Sequence, residues 1–180
     1  TLTVTDAFGT SSQTINNFIT YIDTTSIITN SNNYQEGFDT NIFPPQAWQL
    51  PSSSFSWGTM IVDTGINCYP NKVTYVDHYN ISQRGDEAYL ISNKVKLGSG
   101  STAVNYLTYD YAYSGFSAAH NDGFRIDIST DCGASWDSIY GAFGADLQTT
   151  GYVTSQWQPT CDSWKTDSIN LTNLGYNNDT

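Results

Sequence analysis

Apolar and polar positions alternate in short stretches along the whole chain. Thr1-Leu2-Thr3-Val4-Thr5 has the period of two that marks a half-buried strand. Asp6 to Ser12 reads as a turn around Gly9. Residues 16–23 form a second candidate strand, with Ile15, Phe18, Ile19 and Ile22 available for burial. Residues 24–33 are rich in Ser, Thr and Asn and suit a linker. Beyond Tyr34, weak strand signals fall at residues 35–40, 47–50 and 55–57, with a break at Pro44-Pro45. Residues 73–77 and 88–92 are stronger. The longest alternation, 103–113, puts Val104, Tyr106, Thr108, Asp110 and Ala112 on one face. Asn105, Leu107, Tyr109, Tyr111 and Tyr113 take the other. Residues 123–129 turn Phe124, Ile126 and Ile128 inward against Arg125 and Asp127. Residues 136–140 and 164–171 complete the set.

Short strands at regular spacing, separated by Gly and Asn turns, predict an all-β fold: an antiparallel two-sheet sandwich or barrel. No helical period appears. Composition agrees. About a third of the chain is Ser, Thr and Asn, with 13 Tyr, 8 Phe and 5 Trp, and strand formers outnumber helix formers.

Charge narrows the partners. Six Lys and Arg stand against 17 Asp and Glu in 180 residues, a formal net charge of -11. Phosphate recognition runs on cationic clusters, so the charge argues against nucleic acid and anionic membrane surfaces as partners. No stretch approaches the roughly 18 apolar residues of a membrane-spanning helix.

The motifs of common hydrolases are missing. His78 and His120 are too far apart for a zinc-protease helix, and no Gly-x-Ser-x-Gly elbow occurs. Cys132 with His120 is the one nucleophile and base pair on offer, and 17 acids supply carboxylate pairs without singling any out. The expectation is a non-catalytic chain. Cys68, Cys132 and Cys161 form no metal motif. An odd count allows one disulfide and one free thiol, and in an exported chain Cys132–Cys161 is the expected pair. The alternative is three buried thiols acting as small hydrophobes.

Two resemblances carry more. Thr3-Val4-Thr5-Asp6, Gly9 and residues 17–21 resemble the last two strands of a PKD domain. Residues 34–174 resemble the MAM-like jelly-roll module of type IX-secreted Bacteroidetes proteins, the choice-of-anchor J and cleaved-adhesin group. The matching segments begin with Glu36-Gly37-Phe38, Phe43-Pro44-Pro45 with Trp48, and Trp57. They continue through Val76-Asp77-His78-Tyr79-Asn80, Gly85-Asp86-Glu87 with Leu90-Ile91, and Leu107-Thr108-Tyr109-Asp110-Tyr111-Ala112-Tyr113. The most distinctive are Asn121-Asp122-Gly123-Phe124 and Ser129-Thr130-Asp131-Cys132-Gly133-Ala134-Ser135-Trp136, followed by Trp164-Lys165.

The resemblance implies three parts: residues 1–23 from a PKD-like domain, 24–33 a linker, and 34–180 a jelly roll. It implies a secreted or cell-surface bacterial adhesion module that recognises glycan or protein. The other roles it allows are a spacer or filament subunit, and an accessory domain of a secreted metalloprotease. The module ordinarily carries about two further strands, so the resemblance also implies open sheet edges able to pair with another chain. Neighbouring domains of the same parent chain are implied partners too.

Jelly rolls of this type resemble calcium-bearing carbohydrate-binding modules, in which carboxylates clamp an ion between the sheets. At the matching positions this implies Glu36, Asp77 and Asp122 first, then Asp39 and Asp86. The competing reading is turn chemistry, since Asp122-Gly123 is an ordinary turn pair. Trp48, Trp57, Trp136 and Trp164 fall at module positions and read as core. Trp157, in a loop before Pro159, is freer to bind a ligand. Tyr109 and Tyr111 could stack on sugars or could fill a packed sheet face. Asp137-Ser138-Ile139 and Asp167-Ser168-Ile169 resemble O-glycosylation sites at Ser138 and Ser168. Asn80-Ile81-Ser82 and Asn170-Leu171-Thr172 are N-glycosylation triplets.

Overall fold

The computed structural model describes residues 34–51, 53, 55–80, 85–98 and 103–176, together with the backbone of 2–6, 9–13 and 27–28. Among these the chain is all-β. Ten strands are broken only by two short 3-10 turns, Gly144–Asp146 and Cys161–Ser163.

β1 (Leu2–Asp6) pairs antiparallel with β2 (Gly9–Gln13), so the second strand begins where the sequence predicts a turn. Thr10, Ser11 and Ser12 tolerate a ladder without apolar alternation, which is why the period gives no signal there. The expected strand at 16–23 lies outside the described residues. The expected linker contains β3 (Ile27–Ile28), paired in parallel with β6 (Lys94–Val95).

β4 (Gly58–Val62) and β5 (Asn71–Tyr75) form the next antiparallel pair. Residues 35–40 are not a strand; Phe38 sits at φ 59, outside extended geometry. Residues 47–50 and 88–92 shrink to a single bridge, Gln49 to Ile91, made by two main-chain bonds of 2.8 and 2.9 Å.

β7 (Tyr106–Tyr111) pairs with β10 (Lys165–Asn170), and β8 (Gly123–Ile128) pairs with β9 (Asp137–Phe143). In β7, Tyr106, Thr108 and Asp110 face water while Leu107, Tyr109 and Tyr111 are half-buried, the two faces read from the sequence. The β7–β10 and β8–β9 pairs meet through rings. The Tyr109 centroid lies 5.8 Å from Phe124, 5.6 Å from Tyr140 and 5.8 Å from Tyr111. Buried apolar side chains among the described residues are Val62, Ala142, Leu147 and Leu171.

Long-range bonds tie the loops together. Trp57 Nε1 donates to the Ala88 carbonyl at 3.1 Å, and Trp164 Nε1 to the Thr64 carbonyl at 2.9 Å. Thr64 Oγ1 donates to the Pro159 carbonyl at 3.0 Å. This last contact holds the β4–β5 loop against the segment that carries Cys161.

The disulfide joins Cys68 to Cys161, with Cα atoms 4.8 Å apart, and Cys132 is the free, exposed thiol. The expected Cys132–Cys161 pair is corrected. Cys132 sits at φ 60 in the exposed β8–β9 turn, whereas Cys161 is brought to the β4–β5 loop by Thr64 and Trp164. No helix of the described residues is long and apolar enough to cross a membrane.

Candidate functional site

The carboxylates singled out by the sequence sit in turns, and several of their oxygens accept hydrogen bonds there. Glu36 Oε1 accepts from the Phe38 N–H at 2.6 Å and fixes the turn in which Phe38 is left-handed. Asp39 belongs to the same turn; a Cβ on Gly37 would come within 2.7 Å of its Oδ2. Nearby, the Phe38 ring packs on Phe43 and Trp48, and Trp48 Nε1 donates to the Tyr34 hydroxyl at 3.1 Å. Asp77 accepts from Asn80 twice, from N–H to Oδ1 at 3.3 Å and from Nδ2 to Oδ2 at 2.6 Å. Asp86 is exposed.

Asp122 is the carboxylate in the richest setting. The Tyr113 hydroxyl donates to Oδ2 at 2.9 Å, and His78 Nδ1 lies 3.7 Å from Oδ1. The Asp122 carbonyl accepts from Gly144 N–H at 2.8 Å. Burial first, then the bond to Asp122, pushes the Tyr113 phenol well above its ordinary range. Tyr113 therefore keeps its proton and serves as donor. The loop after β5 and the loop before β8 thus meet at His78 and Asp122. Among the described residues no three His, Cys, Asp or Glu side chains gather where they could hold a metal ion.

Cys132 and His120 do not form a nucleophile and base. They flank opposite ends of β8, a strand roughly 20 Å long. His120 Nδ1 pairs instead with Ser117 Oγ at 2.9 Å in a local turn.

The Tyr109 and Tyr111 faces are given to packing. Tyr109 contacts three rings, and its hydroxyl reaches Asp167 Oδ2 at 3.4 Å. Desolvation above all, and then Tyr140, raises both phenols. Of the two readings offered for these residues, the ring contacts go with the packed sheet face, with both side chains half-buried. Trp157 is half-buried in its loop. Trp136, expected in the core, is 44% exposed at the end of the β8–β9 return.

That return is a self-contained turn. Asp131 accepts from Ser135 Oγ at 2.6 Å, Ser135 N–H at 2.8 Å and Ser129 Oγ at 2.8 Å. Ser135, then Ser129, holds its carboxyl down at about 2. Ser138 and Ser168 are exposed strand residues, and Asn80 is exposed. Asn170 is half-buried, with Oδ1 accepting from Asn173 N–H at 2.9 Å.

Sequence reasoning missed the outer face of β8–β9. Phe143 and Arg125 lie there beside Gly123 and Gly141. The only signal was the pairing of ring and cation with glycines, visible once the strand register is known.

Comparison with protein-family models, with curated proteins and with solved structures finds no match to this chain.

Proposed function

We propose that the chain is a non-catalytic, extracellular binding module that recognises glycan or protein through its surface. The observation that supports this is the division of its rings. Tyr109, Tyr111, Phe124 and Tyr140 pack on one another, while Tyr69, Tyr79, Tyr89, Trp136, Phe143 and Tyr152 remain on the outside. Exposed rings are costly to leave in water, and they are what binding surfaces are built from. The disulfide is in keeping with an oxidising compartment. The jelly-roll arrangement, the PKD origin of residues 1–23 and the cell-surface setting belong to the same proposal. A structural calcium held by Asp122 and the other turn carboxylates belongs to it too, with a chelator-sensitive thermal melt as its test.

The test is to immobilise the full chain and probe it with defined glycans and purified extracellular proteins. Saturable binding to one class supports the reading. A second reading, a spacer or assembly subunit, draws on the two-stranded sheets, whose outer strand edges could pair with another chain. It predicts concentration-dependent self-association and no ligand in either panel.

A further inference from the structure

The Cys68–Cys161 bond is more open to water on one side than on the other. Cys68 sits at φ 63 in the β4–β5 loop, and its neighbours Asn67, Tyr69 and Pro70 are exposed with it. Cys161 is half-buried at the start of its 3-10 turn, beside the buried Ser163, whose hydroxyl lies 2.8 Å from Thr160 Oγ1. A thiol arriving from solvent therefore meets Cys68 first. The loop around Cys68 is also shaped by its own main chain. Gly65 N–H donates to the Tyr69 carbonyl at 2.7 Å, and Cys68 N–H donates to the Gly65 carbonyl at 2.9 Å.

The bond secures the entry of β10, a strand that pairs with β7 alone among the described residues. The two ends of β10 are held differently. At the exit Leu171 is buried, and its N–H donates to the Asn105 carbonyl at 2.9 Å. Asn105 N–H in turn donates to Thr172 Oγ1 at 2.8 Å. At the entry Lys165 and Thr166 are exposed, and Lys165 Nζ reaches the Gln148 carbonyl at 2.9 Å in the open. Beyond the disulfide, that end leans on the half-buried Trp164 and on the hydrogen bonds that Thr64 makes with Trp164 and Pro159. An end with little buried apolar surface opens more readily than one sealed by a buried leucine.

We propose that Cys68–Cys161 is a thiol-sensitive latch on β10. A small thiolate attacks Cys68 Sγ and breaks its bond to Cys161. Cys161 leaves as a thiolate and takes a proton from water, and the small thiol stays on Cys68 as a mixed disulfide. A second thiolate attacks the small-thiol sulfur of that adduct and frees Cys68. Two small thiols are thereby oxidised to their disulfide while the protein disulfide gains two electrons. Exposed disulfides are the labile ones in proteins. The opened chain keeps the β4–β5 and β8–β9 pairs, and β10 peels from β7 starting at its entry. The latch is independent of the ligand-binding reading.

The experiment treats the full chain carrying Cys132→Ser with reduced glutathione at neutral pH, followed by alkylation and peptide mass mapping. The glutathione adduct forms on Cys68 and the alkyl group on Cys161, at a rate that urea below the unfolding transition leaves unchanged. No adduct, an adduct on Cys161, or a rate that climbs with urea over that range overturns the proposal, because the bond would then be closed to thiols in the folded chain. Hydrogen exchange read by mass spectrometry then compares the oxidised and reduced forms. Residues 164–170 exchange about tenfold faster or more after reduction, and residues 123–143 keep their protection. Cys68→Ser reproduces that pattern without reagent. Equal loss of protection in both regions, in the reduced chain or in the variant, makes the bond an ordinary crosslink and overturns the latch.

Discussion

Gly65 is buried in the β4–β5 loop, where its N–H donates to the Tyr69 carbonyl at 2.7 Å and its carbonyl accepts from Cys68 N–H at 2.9 Å. A Cβ there would sit 2.8 Å from Asn71 Cβ and 3.3 Å from the Tyr69 carbonyl oxygen. Those neighbours belong to the loop that carries the disulfide, and they have little room to yield. Gly65→Ala is expected to cost about 1–3 kcal/mol, read as a lower urea midpoint at unchanged slope. An unshifted midpoint would contradict this. Asp131 gives a second residue-scale prediction. Its carboxyl is depressed from 3.8 to about 2, so the stabilisation it lends the β8–β9 turn is complete above its unfolded value and is lost as pH falls through about 2. Carbon chemical shifts across an acid titration should place its midpoint near that value; a midpoint near 4 would show the three donors to be absent. The turn itself was legible in Ser129 to Trp136. The exposure of Trp136 was not, because its core reading came from the matching module position, which does not say what packs on the ring.

β7, β8 and β10 could be read from sequence because each buries one face, and burial writes a period of two into the chain. β4 could not. Met60, Ile61 and Val62 are consecutive apolar residues, and Ile61 faces solvent at 70% exposure opposite Lys72 while Val62 is wholly buried. β3 and β6, two residues each, are too short to carry any period. The rings joining β7 to β8 and β9 lead to a prediction about pH. Burial raises the phenols of Tyr109 and Tyr111, so the folded state favours their protonated form. Their contribution is complete below the ordinary phenol value near 10 and is lost as pH rises above it. Unfolding at stepwise alkaline pH should show stability falling beyond that point, and Tyr109→Phe should lessen the fall. An equal fall in both proteins would mean that Tyr109 titrates in the open.

At the scale of the whole molecule, the Cys68–Cys161 bond spans 93 positions and joins the β4–β5 loop to the entry of β10. Removing a crosslink over such a loop costs about 2–5 kcal/mol. Cys161→Ser should therefore destabilise by that amount in chemical denaturation, while Cys132→Ser should leave the midpoint in place. A lowered midpoint in Cys132→Ser, with Cys68→Ser unshifted, would restore the Cys132–Cys161 pair expected from sequence. The Cys68–Cys161 pairing was out of reach because it depends on Thr64 and Trp164 bringing distant loops together. The five calcium candidates rested on the resemblance; that Glu36 and Asp77 accept bonds within their own turns could not be read from it.

The central claim is a sorting of rings, with one group packed half-buried between strand pairs and another held out for contact. The most direct measurement is solvent paramagnetic relaxation of aromatic protons by NMR with a soluble, uncharged gadolinium chelate. The account predicts strong relaxation for Phe143 and Tyr69 and protection for Tyr109, Phe124 and Tyr140. Protection of Phe143 together with strong relaxation of Tyr109 would contradict it.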